Sequence, residues 1–77
     1  MGQVLAEEWI QSEVSGTVWK IKKTVADVVE EDDVILILES MKMEIPVVAP
    51  VSGTISEMLV EEGATVEEEQ RLAKITL

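Results

Sequence analysis

Apolar residues fall in short runs separated by polar or glycine-bearing clusters. Val34-Ile35-Leu36-Ile37-Leu38 and Ile45-Pro46-Val47-Val48 are the longest, and shorter ones recur at Val18-Trp19, Val28-Val29, Val66 and Leu72-Ala73. Runs this short, rich in β-branched residues and bounded by turn formers, predict strands at 8–12, 17–22, 27–30, 34–39, 44–48, 54–60, 64–67 and 71–76. The run at 34–38 is too short and too β-branched for a helix, so the chain reads as all-β. Gly16, Gly53 and Gly63 are read as giving the backbone freedom at corners.

Laid on itself with an offset of 37 residues, the sequence places Val14-Ser15-Gly16-Thr17 on Val51-Ser52-Gly53-Thr54 without a gap. In the same register Val18 falls on Ile55, Ile21 on Met58, Val29-Glu30-Glu31 on Val66-Glu67-Glu68, Ile35 on Leu72 and Leu38 on Ile75. A tetrapeptide coincidence would not keep these further apolar positions aligned, so the chain reads as two copies of one unit, at about 14–40 and 51–77. Two copies point to a pseudo-twofold barrel or sandwich, since a solenoid needs about three repeats or more. The core pairs Val18/Ile21 and Ile35/Leu38 stand three apart, which strand alternation puts on opposite faces, so a bulge or sharp twist is expected there.

Composition then narrows the chemistry. Seventy-seven residues make one small domain, expected to span 1–77 with its core in 8–77. Without Cys or His the chain has no thiol nucleophile, no disulfide and no usual zinc or haem ligand set. Six Lys+Arg against 16 Asp+Glu give a net charge of −10, which repels nucleic acid and anionic membranes and favours partners with basic surfaces. Hydrophobic residues at 47% suffice for a core, but with no Phe or Tyr that core is aliphatic. No run is long enough to span a membrane, and Met1-Gly2-Gln3-Val4-Leu5-Ala6 is neither a basic leader nor a myristoylation signal. A soluble cytoplasmic domain, or a mitochondrial matrix one after loss of a transit peptide, is therefore expected.

Between the two copies lies Glu39-Ser40-Met41-Lys42-Met43-Glu44, polar and Met-rich, between two apolar runs. It reads as a hairpin tip near the pseudo-twofold axis, with Lys42 at its apex facing solvent. An unhindered amine there is either an ordinary surface lysine or an acceptor for acylation by another enzyme. Two methionines in an exposed turn cost solubility, so they are read as a recognition surface, with burial beneath the hairpin as the competing reading.

At these residues the sequence resembles the biotinyl/lipoyl carrier domain family, over about residues 8–77. Glu39-Ser40-Met41-Lys42-Met43 is similar to the biotin attachment motif, Ala49-Pro50-Val51-Ser52-Gly53-Thr54-Ile55 to the segment that follows it, and Gly16-Thr17-Val18-Trp19-Lys20 to its first-half counterpart. The resemblance implies a flattened barrel-sandwich of two four-stranded antiparallel sheets with quasi-twofold symmetry. It implies covalent biotin on Lys42, with Glu39, Ser40, Met41, Met43 and Glu44 read by a biotin protein ligase. It also implies a non-catalytic carrier, monomeric as an isolated domain, that shuttles a carboxyl group between biotin carboxylase and carboxyltransferase or decarboxylase sites. A lipoyl carrier of a 2-oxoacid dehydrogenase-type complex and an unmodified assembly module are the alternatives, and Met41 and Met43 speak against lipoate. The chain resembles the small, thumbless carriers. It departs from the family in having Ala26, Asp32 and Glu69 where turn glycines are common, which suggests looser turns.

The acidic runs Glu30-Glu31-Asp32-Asp33, Glu61-Glu62 and Glu67-Glu68-Glu69 lack the ligand alternation and glycine of a calcium loop. Glu30-Glu31 and Glu67-Glu68 fall at equivalent places in the two copies, as solvated turns of a duplicated scaffold would.

Overall fold

The structure, a computed structural model, describes residues 6–77. The opening segment considered above for leader and lipid signals lies, up to Leu5, outside the described residues. Eight strands follow one another: β1 (Glu7–Gln11), β2 (Gly16–Ile21), β3 (Val28–Val29), β4 (Val34–Ser40), β5 (Met43–Val48), β6 (Gly53–Met58), β7 (Thr65–Val66) and β8 (Arg71–Thr76). They form two four-stranded antiparallel sheets, ordered β1-β8-β6-β3 and β5-β4-β2-β7. Moving each strand by 37 residues converts one order into the other, so the sheets are quasi-twofold copies. The equivalence reaches beyond 14–40 and 51–77, because β1 and β5 also correspond.

The bulges obey the same symmetry. Trp19 is the extra residue between Val18 and Lys20 opposite β4, as Ser56 is between Ile55 and Glu57 opposite β8. This bulge brings Val18 and Ile21 onto one face, as their spacing requires. Ile35 and Leu38 do not share a face. Ile35 is the extra residue between Val34 and Leu36, and it turns into the other core.

Two aliphatic clusters fill the sandwich. Val29, Ile35, Ile55, Ala73 and Ile75 pack with Ile10 and Ala49, while their counterparts Val66, Leu72, Val18, Leu36 and Leu38 pack with Val60. Each full burial of a Val, Leu or Ile side chain contributes about 1.5–3 kcal/mol, so this is where most of the stabilisation resides. Met58 touches both clusters.

The turns stay tight without glycine. Ala26 (φ 79°) corresponds to Gly63 (φ 91°), and Asp32 (φ 75°) to Glu69 (φ 71°). Each pair makes the same bonds: the amides of Ala26 and Gly63 donate to Ile55 O and Val18 O, and those of Asp32 and Glu69 to Ala49 O and Ser12 O. The acidic runs are turns of this kind, with the Glu30 amide donating to the Asp33 carboxylate (2.9 Å) and that of Glu67 to Gln70 Oε1 (2.9 Å). Of the glycines read as flexible corners only Gly63 uses a positive φ. Gly16 and Gly53 lie within strands and are glycine because a neighbour is too close: a methyl would come within 2.5 Å of Glu39 O at one and 2.6 Å of Ile75 Cγ2 at the other.

Candidate functional site

The β4–β5 ladder ends with Ser40 opposite Met43, leaving Met41 and Lys42 as a two-residue loop. Both have positive φ, 50° and 66°, as a type I′ hairpin requires. Such turns usually carry Asn or Gly, and a left-handed conformation costs other residues about 1–2 kcal/mol each. The flanking structure imposes it. Ser40 Oγ donates to Ser15 O (2.8 Å), and Gly16 lets β2 approach the β4 backbone at Glu39, so the strand end is held in place.

The tip therefore presents its side chains outward. Met41 is 92% exposed and Met43 60%, which removes both from the core, and Lys42 is exposed between them. Glu39 and Glu44 stand opposite each other in the ladder, both exposed, while Ser40 is half-buried by its bond to the loop before β2. All six residues singled out in the sequence are thus together at one hairpin end. Reading the sequence alone missed Ser15 and Gly16, whose role is to hold that end. Their repetition as Ser52 and Gly53 was visible but pointed only to a duplicated turn.

The quasi-twofold relates the tip to the place where the Leu77 amide donates to Ala6 O and β1 pairs with β8. A lysine on a two-residue turn, exposed and without an ion pair among the described residues, is suited to display a group.

The profile of the biotin/lipoyl family, described as "Biotin-requiring enzyme", matches residues 2–75. The chain belongs to the biotin/lipoyl attachment family. It is 37% identical over 67 residues to the "Biotin/lipoyl attachment protein" of Bacillus subtilis, covering 87% of this chain and 92% of that one. Among solved structures, the Kluyveromyces lactis urea carboxylase superposes with a TM-score of 0.86 at 35% identity, over 97% of this chain. The match spans only 7% of that carboxylase. The lipoyl domain of the 2-oxoglutarate dehydrogenase complex from Azotobacter vinelandii superposes with a TM-score of 0.71 at 33% identity, covering 83% of this chain and 81% of that one. Biotin/lipoyl domains of this barrel-sandwich fold are non-catalytic carriers, and the chemistry resides in the group carried.

Proposed function

We propose that this biotin/lipoyl domain is a biotin carboxyl carrier, with biotin joined to Lys42 Nζ through an amide bond. The observation that carries the reading is Lys42 itself, displayed on a two-residue turn between the exposed Met41 and Met43. Attachment requires biotin activated as a mixed anhydride with a phosphate. The neutral amine of Lys42 attacks the carboxyl carbon, the N–C bond forms, the bond to the phosphate oxygen breaks, and the amine proton passes to solvent. The protein's part is to hold the amine clear of other groups and to be recognised by the biotin protein ligase that supplies the anhydride. Lys42 would hold biotin, which would supply a ureido nitrogen able to take up a carboxyl group at a biotin carboxylase and give it up at a carboxyltransferase or decarboxylase, and the likeness to the urea carboxylase supports this role.

A lipoyl carrier is the second reading, favoured by the likeness to the Azotobacter domain. The methionines argue for biotin, because adaptable apolar side chains on both sides of the lysine give a ligase two groups to desolvate. The deciding experiment is incubation of the chain and of its Lys42→Arg variant with biotin ligase, followed by streptavidin detection. Signal from the first and none from the second is expected, and biotin on the Lys42→Arg chain would overturn the site.

A further inference from the structure

The internal duplication supplies a control, because each outward position on one sheet has a counterpart on the other. In the sheet that contains β1 and β8, the row Glu57–Lys74–Trp9 closes on itself. Lys74 Nζ lies 2.6 Å from Glu57 and 3.4 Å from Glu7. It stands 5.3 Å from the Trp9 ring centre, with the Arg71 guanidinium at 4.5 Å. The hydrogen bond that Lys74 donates to the Glu57 carboxylate raises the Lys74 pKa above the ordinary lysine value.

In the sheet that ends in the tip, the counterpart row is Lys20–Ile37–Pro46, and beyond it Val34 and Val48 replace Arg71 and Gln11. Ile37 lies between the buried Leu36 and Leu38, so its side chain faces outward. Pro46 and Val48 are exposed beside it. The exchange also strands a charge. Glu44 corresponds to Glu7, but the counterpart of Glu7's partner Lys74 is Ile37. Glu44 instead faces Glu39, a like-charge cross-strand pair that destabilises a hairpin. Among the described residues the ion pairs formed are those of Lys74, and neither Glu39 nor Glu44 has one.

We infer that the outer face of this sheet, from Val34 and Val48 through Ile37 and Pro46 to Glu39 and Glu44, is where the ligase that acylates Lys42 docks. That enzyme presents an apolar strip ending in basic side chains. The inference rests on the biotin reading of Lys42. Charge selects the occupant, since the two carboxylates require cations, while a second copy would bring another −10 and the same glutamate pair. Reach selects the enzyme. A ligase must bring its reacting carbon to Nζ and so come up against the hairpin, whereas later partners meet biotin at the end of a long arm.

The test uses purified biotin ligase with the chain as varied substrate. Ile37→Lys installs the residue that the other sheet carries on the same backbone, so the variant should fold, as a thermal melt will show. It should raise KM for the chain about tenfold with kcat little changed, through loss of apolar contact and capture of the free carboxylates. Val48→Gln, again the other sheet's residue, should raise KM about threefold without altering charge. Arg71→Val, the reverse exchange on the opposite face, should leave KM unchanged. Unchanged KM in Ile37→Lys and Val48→Gln would overturn the docking face while leaving the attachment site standing, as would an equal rise in Arg71→Val. A wild-type chain that takes no biotin would instead overturn the reading on which the inference rests.

Discussion

Ala26 and Gly63 occupy the same turn in the two halves, with φ of 79° and 91°, and their amides close the same bond onto Ile55 O and Val18 O. One half thus carries an alanine in a backbone conformation for which the other uses glycine. A β-carbon at Gly63 would meet nothing within 4 Å, so the difference between the two is one of backbone conformation alone.

Exchanging the two residues should therefore move stability in opposite directions. The left-handed conformation costs a non-glycine residue about 1–2 kcal/mol, and glycine's extra freedom in the unfolded chain offsets part of this, so about 0.5–1 kcal/mol remains. Ala26→Gly is expected to stabilise and Gly63→Ala to destabilise by that amount in urea titrations. Destabilisation by Ala26→Gly would show that the turn imposes no strain.

How much of this was legible in the sequence depended on which way a residue faces. Inward positions such as Val18/Ile55 and Leu38/Ile75 kept their character through the duplication, because both clusters need aliphatic volume, and they set the register of 37. Outward positions were free to diverge. Trp9 corresponds to Pro46 and Lys74 to Ile37, so the equivalence of β1 with β5 was hidden. The tip was legible as a lysine between methionines, but its type I′ geometry was not, since Met-Lys lacks the Asn-Gly signal of such turns.

Ile35 and Leu72 each serve as the bulged residue of their strand and each enter the cluster built mainly on the other sheet, fully buried. Truncation to alanine should cost about 2–5 kcal/mol at either position, and by similar amounts. Equilibrium unfolding measures this, and one neutral variant would break the equivalence of the two cores.

Gly16 and Gly53 are also counterparts, but only Gly16 lies beside the tip, where a methyl would meet Glu39 O at 2.5 Å. Both Gly→Ala variants should lower the thermal midpoint by forcing strands apart. Biotinylation of the folded protein should slow in Gly16→Ala and remain normal in Gly53→Ala, as initial rates below the midpoint would report. Equal rates would mean that the approach of β2 to β4 does not position the tip.

Met41 and Met43 lie outside the core, so replacing them leaves packing intact. In the double variant Met41→Asp with Met43→Ala, apolar contact is lost and a charge must be buried in the ligase pocket, a cost of about 1–3 kcal/mol. Biotin transfer should fall by about tenfold or more while circular dichroism melts stay unchanged. Equal transfer rates for the two proteins would remove the methionines from recognition.

Whether Lys42 carries biotin is decided most directly by the intact mass and peptide map of the chain produced in cells holding both biotin and lipoate ligases. One biotinyl increment, located on the peptide containing Lys42 and absent from Lys42→Arg, is the expected result. A lipoyl increment, an unmodified chain, or biotin on any other lysine would contradict it.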